Sequence, residues 1–216
     1  QMIKFASGLF LLLVVGTVTK AEETPATKWI PLFDGKSLKG WKEADFYKPG
    51  KCKVENGCIV LEKGSKLTGI TLDKKDFPKE NYEVSFEAKR VEGRDFFCTT
   101  TFPVGKAFTS FVVGGWGGTV VGISGIDGVD ASENSTGQGK EFKDGQWYKI
   151  RILVAGDKLQ TWIDNEQVVD LKISENNFTL HISCNVCKPF GIATYDTIGA
   201  IRDLKYRNIL PAELKK

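Results

Sequence analysis

The chain has 216 residues and a formal charge of +3, with 30 Lys and Arg against 27 Asp and Glu. The basic residues are scattered rather than gathered into a run or stripe, which excludes the concentrated basic face that nucleic-acid binding needs. Five cysteines, an odd number, exclude a framework in which every thiol is paired.

The first segment reads as a leader. Lys4 precedes an apolar run from Phe5 to Val18, and Thr19-Lys20-Ala21 offers small residues at the −3 and −1 places of a cleavage site. The run is shorter than the ~20 residues that span a bilayer, so residues 1–21 are expected to be a secretory signal and 22–27 a linker. The mature chain would then be secreted or periplasmic, carry a charge near +1 and make no membrane contact. Residues 28–212 suffice for one domain.

That domain opens on "KWIPLFDGKSLKGWK", residues 28–42, in which Trp29, Leu32, Phe33, Leu38 and Trp41 surround the polar turn Asp34-Gly35-Lys36-Ser37. The stretch is either a core clip that fixes where the fold begins or an aromatic rim for a ligand. Next, Cys52 and Cys58 flank a hairpin turn. If Asn56-Gly57 is a two-residue turn, the two thiols face opposite ways and cannot bridge.

From there the pattern is period two. Tyr82, Val84, Phe86 and Ala88 alternate with Glu83, Ser85, Glu87 and Lys89; Tyr148, Ile150, Ile152 and Val154 alternate with Lys149, Arg151 and Leu153. Further strands are expected at 58–62, 66–72, 96–102, 108–114, 118–124, 158–164, 166–171, 178–183, 190–195 and 200–208. Turn residues such as Glu92-Gly93, Asp144-Gly145 and Gly156-Asp157 separate them. No long segment carries a 3.6-residue apolar stripe, so the chain is all-β, a sandwich or a barrel.

Candidate site residues fall in three places. "GGWGG", residues 114–118, marks a bulge or a close backbone approach, with Trp116 as a stacking surface for a ligand or, alternatively, a core residue of a plain turn. The acidic loop "GIDGVDASEN" supplies Asp127, Asp130 and Glu133, which could act as a general base, hold a hard cation or form an ordinary solvated loop. Asp95, beside Arg94, is a further acid that could bind substrate or close a turn ion pair. In "KLQTWID", Gln160 and Trp162 share a face opposite Leu159 and Ile163, as a sugar platform would, or as a cover for a sheet edge. Cys184-Asn185-Val186-Cys187 with His181 could hold a metal, but buried thiols or a local disulfide are the better expectation. Asn134-Ser135-Thr136 matches a glycosylation acceptor, a motif common by chance.

The segment 144–171, with a Trp starting a strand, a Gly-Asp turn and a second strand ending Trp162-Ile163-Asp164, resembles the strand-turn-strand core of concanavalin A-like jelly rolls. "PLFDGKSLKGW" (31–41), Cys52–Gly57, Asn81-Tyr82-Glu83-Val84 and the closing Leu204-Lys205-Tyr206-Arg207-Asn208-Ile209 resemble the 3-keto-disaccharide hydrolase domain family. The likeness is to a divergent subgroup: "GRDFFCTTTFPVG" (93–105) replaces a commoner polar strand, and Thr161 stands where the family often has His. The resemblance implies a jelly-roll sandwich of two antiparallel sheets and a carbohydrate partner. It also implies cleavage of a 3-keto glycoside by C2 proton abstraction and elimination, followed by hydration. Catalysis would fall to Asp127, Asp130 and Glu133, and substrate binding to Trp116, Trp162, Asp95 and Gln160, with a divalent metal as a conceivable cofactor. The alternatives are a non-catalytic carbohydrate-binding module on the same fold and a structural surface domain.

Overall fold

The computed structural model describes Met2 and residues 27–74 and 76–214. The expected leader (apart from Met2) and the linker up to residue 26 lie outside the described residues.

Two antiparallel sheets face each other. In chain order the strands are β1 (Ile30–Pro31), β2 (Trp41–Glu43), β3 (Cys52–Glu55), β4 (Cys58–Leu61), β5 (Leu67–Leu72), β6 (Tyr82–Gly93), β7 (Thr99–Val104) and β8 (Ala107–Gly115). There follow β9 (Val120–Ser124), β10 (Gln138–Gly139), β11 (Tyr148–Ala155), β12 (Lys158–Ile163), β13 (Glu166–Lys172), β14 (Gly191–Tyr195) and β15 (Thr197–Asn208). One sheet runs β13-β12-β11-β6-β15-β4-β3, with β1 added against β15; the other runs β10-β9-β8-β7-β14-β5-β2. The two sheets interleave along the chain, and the all-β jelly roll is the observed fold.

The period-two pattern explains the core. Tyr82, Val84, Phe86 and Ala88 of β6 and Ile150 and Ile152 of β11 turn inward and meet Phe102, Phe111, Ile123 and Ile192 from the other sheet. Burying such side chains supplies most of the driving force for closing the sandwich. The Asn56-Gly57 turn has two residues, both at positive φ, and pairs Glu55 with Cys58. Cys52 and Cys58 therefore do face opposite ways. All five cysteines are free.

The expected strand at 178–183 does not form. Phe178 makes one isolated bridge to Ile126, and Ile182–Cys187 is a 3-10 helix capped by His181, whose Nδ1 accepts the Ser183 N–H at 3.3 Å. A local side-chain bond here offers the backbone an alternative to the ladder, and it wins over the alternation.

The opening stretch is a clip. Ile30 and Pro31 pair with Tyr206 and Lys205, and the N–H groups of Leu32 and Phe33 both bond the Leu204 carbonyl. Trp41 is 7% exposed, packs edge-on against Phe190 and donates its indole N–H to the Leu32 carbonyl at 2.8 Å. The Asp34 carboxylate accepts the N–H groups of Lys36 and Ser37 and the Ser37 hydroxyl, and these bonds hold it below the usual carboxylate range.

Candidate functional site

The outer face of the seven-stranded sheet is floored by small side chains. Across the strands, Gly69 pairs with Ala193 and Ala193 with Thr99; Gly191 pairs with Thr101, Thr101 with Ser110, and Ser110 with Ser124. Of these, Thr99, Ser110 and Ser124 line a depression in the face, while Gly191 and Ala193 are covered by Cys187 and its neighbours. Three loops rise around it and close a cavity of about 340 Å³, at the small end of the range for ligand pockets. Leu67, Phe96, Val112 and Tyr195 give it apolar walls; the Phe96 and Tyr195 rings lie 5.7 Å apart.

The "GGWGG" turn forms one wall. β8 carries a bulge between Val113 and Gly115, and the chain then reverses through Trp116, Gly117 and Gly118, all at positive φ. Trp116 has φ +47 and is 46% exposed at the cavity mouth. The turn is gripped from both sides. The Asp95 carboxylate accepts the Phe96 N–H at 2.8 Å and the Gly117 N–H at 3.2 Å. Arg90, 9% exposed, donates to the Gly118 and Phe142 carbonyls and to Asp144. A Cβ on Gly118 would stand 2.8 Å from the Arg90 guanidinium and 3.0 Å from the Arg94 carbonyl, so only glycine fits there.

The acidic loop forms a second wall. Asp127 and Gly128 make a turn at positive φ between Ile126 and Val129. Asn134 then ties the loop to β9: its amide donates to the Ile123 and Val129 carbonyls, and its oxygen accepts from the Thr136 N–H and hydroxyl. That folding delivers Asp130 to the cavity, where Oδ1 accepts the Ser124 hydroxyl at 2.7 Å. Asp127 and Glu133 stay exposed and do not line it.

The 3-10 helix brings His181, Ser183 and Cys184 to the third side. Because His181 Nδ1 accepts a backbone N–H, the neutral ring carries its proton on Nε2. Burial pushes the Cys184 thiol up, against hydrogen bonding with Ser110 and Thr101, so it stays a thiol at neutral pH rather than a nucleophilic thiolate. Cys187, deeper still, is also pushed up by burial.

Of the residues singled out in the sequence, Asp130, Trp116 and Asp95 thus share one cavity. Trp162 and Gln160 do not. They lie on the outer face of the other sheet, where the Arg151 guanidinium covers the Trp162 ring at 3.6 Å and Gln160 donates to Asp170. Leu159 and Ile163 are buried opposite them, so the facing parity read from the sequence holds, on the eight-stranded sheet rather than the one that carries this cavity. No group of three or more His, Cys, Asp or Glu side chains gathers at metal-ligand spacing among the described residues, so His181, Cys184 and Cys187 do not form a metal cluster.

The model of the 3-keto-α-glucoside-1,2-lyase-like domain matches residues 28–209. The chain belongs to this family. No curated protein matches it. Among solved structures, this lyase-like domain superposes on a carbohydrate-binding module, CBM66, from Bacillus subtilis, with TM-score 0.53 and 11% identity over 78% of this chain and 96% of that one. A Bacillus subtilis protein of unknown function with a galectin-like fold gives TM-score 0.56 and 6% identity over 84% and 98%. A Parabacteroides distasonis protein provisionally named a glycosyl hydrolase gives 0.52 and 13% over 84% and 94%. At these identities the structures share the sandwich with the lyase-like domain and establish nothing further.

Proposed function

We propose that this lyase-like domain is an exported enzyme that cleaves the glycosidic bond of a 3-keto glycoside in the cavity of the seven-stranded sheet. One observation carries the reading: a carboxylate, Asp130, and an imidazole, His181, line the same cavity as the Trp116 indole. A keto group at C3 acidifies the C2 hydrogen. Asp130 takes that proton, and the electron pair moves into the C2–C3 enolate. Collapse of the enolate forms the C1–C2 double bond and expels the C1 oxygen, which accepts a hydrogen bond from His181 Nε2–H and takes up the proton that Asp130 has gained. Water then adds at C1 while C2 is reprotonated, which gives net hydrolysis. Ser124 holds the Asp130 carboxylate in place, and the aromatic wall seats the sugar ring. Export rests on the apolar run of residues 5–18.

The test is release of a chromogenic leaving group from 3-keto glucosides by the purified domain, with and without added divalent metal. Asp130→Asn is expected to lower kcat by about 100-fold or more, the usual weight of a general base, while sugar binding persists. A folded wild-type protein that binds the sugar and releases nothing under any condition would make the domain a non-catalytic carbohydrate-binding module.

A further inference from the structure

We propose that Thr99 selects the ligand: the cavity takes a neutral sugar ring, stacked on Trp116, with one of its oxygens hydrogen-bonded to the Thr99 hydroxyl. The inference rests on the carbohydrate reading of this cavity and names the substrate class and the residue that recognises it. Among the described residues, three buried side-chain polar atoms have no hydrogen-bonding partner: Thr99 Oγ1, Thr161 Oγ1 and Arg151 Nε. Arg151 Nε has an ionic partner, Glu83, at 2.8 Å. Thr161 lies on the core side of β12 with Leu159 and Ile163. Thr99 alone of the three lines the cavity, at 3% exposure.

The other hydroxyls of the floor are spent. Thr101 pairs with Ser110 at 3.1 Å, Ser124 donates to Asp130, and Thr71 donates to the Lys188 and Phe190 carbonyls. Thr99 shares its face with Thr101, opposite Phe102, so it projects from the strand on the cavity side. A fold that needed only a β-branched residue here would be better served by valine, which matches threonine in shape and buries no orphan hydroxyl. The hydroxyl therefore has its partner in the ligand, reached from the cavity that Thr99 lines. Charge narrows the class. Asp95 and Asp130 line the cavity and, among the described residues, no lysine or arginine does; Lys66 stands outside it, over the Tyr195 ring. Such a site repels carboxylated sugars and takes neutral ones.

The test is calorimetric binding of methyl glucoside, which lacks the 3-keto group and so is bound without being cleaved, its four monodeoxy analogues (3-deoxy included) and the corresponding glucuronide to wild type, Thr99→Val and Thr99→Ser. In the wild type one deoxy analogue is expected to bind about tenfold more weakly than the parent, because its loss leaves a buried hydroxyl unpaired. In Thr99→Val that ratio falls to one, and Thr99→Ser restores it. The glucuronide binds at least tenfold more weakly than the glucoside throughout. Thr99→Val should melt no lower than wild type, so lost recognition is not lost folding. Parent-to-deoxy ratios unchanged in Thr99→Val overturn the assignment of Thr99 while leaving the sugar site standing. Equal binding of glucuronide and glucoside overturns the neutral class. Failure of every sugar to bind the folded wild type overturns the carbohydrate reading itself.

Discussion

At the scale of single residues, Trp116 stands out because its backbone and its side chain disagree. A left-handed φ suits glycine, and a half-exposed indole gains the fold little. The position keeps tryptophan at some cost in stability, which is understandable if the ring is used by a ligand. Trp116→Ala is expected to weaken sugar binding about tenfold, the loss of about 1.4 kcal/mol of stacking, and Trp116→Gly to do the same while leaving the melting temperature unchanged or higher. Trp162→Ala should leave binding untouched, since its ring is covered by Arg151 on the far sheet; fluorescence titration with one sugar compares all three. The sequence exposed Trp116 through its flanking glycines and Asp130 through its acidic neighbours. It concealed Thr99, Ser110 and Ser124, because a small polar residue on a strand looks the same whether it floors a cavity or faces open water.

At the scale of elements, the strands were legible and the loop contacts were not. Period-two alternation is local, so β6, β11 and β12 could be read directly. The 3-10 helix at Ile182–Cys187 was hidden by an equally regular alternation and by a cap that depends on the His181 ring. The grip on the Trp116 turn had no local signal at all: Asp95 and Gly117 meet only because β7 and β8 lie side by side after folding. That grip makes Asp95 a positioning residue, with its carboxylate bonded to two backbone amides. Asp95→Ala frees the turn, so the indole must be ordered at the moment of binding. The expected result is a KM raised roughly tenfold or more with kcat nearly unchanged, the loss of at least one hydrogen bond to a charged group. Asp95→Asn keeps one acceptor oxygen and should recover part of the loss. A fall in kcat equal to the rise in KM would instead put Asp95 at the reacting atoms.

At the scale of the whole molecule, the fold closes by joining its two ends, and the opening aromatics are how it does so. The short strand at Ile30–Pro31 adds to the last strand, and the N–H groups of Leu32 and Phe33 share the Leu204 carbonyl. Trp41 then crosses to the other sheet: its backbone pairs with Leu72 while its indole bonds Leu32 and packs on Phe190. One side chain thus ties the first strand, the second and the core. The family resemblance favoured the clip, but the residues alone kept Trp41 open as a rim residue, because an aromatic-rich turn serves both and only burial separates them. Trp41→Ala should destabilise the domain by about 3–5 kcal/mol, the range for deleting a large buried aromatic. Trp41→Phe keeps most of the packing but strands the Leu32 carbonyl, for a loss of about 1–2 kcal/mol. Denaturant unfolding measures both. Sugar affinity of the folded Trp41→Phe variant should equal that of wild type, since Trp41 contributes nothing to the cavity lining. Wild-type stability with weakened affinity would return Trp41 to the ligand rim.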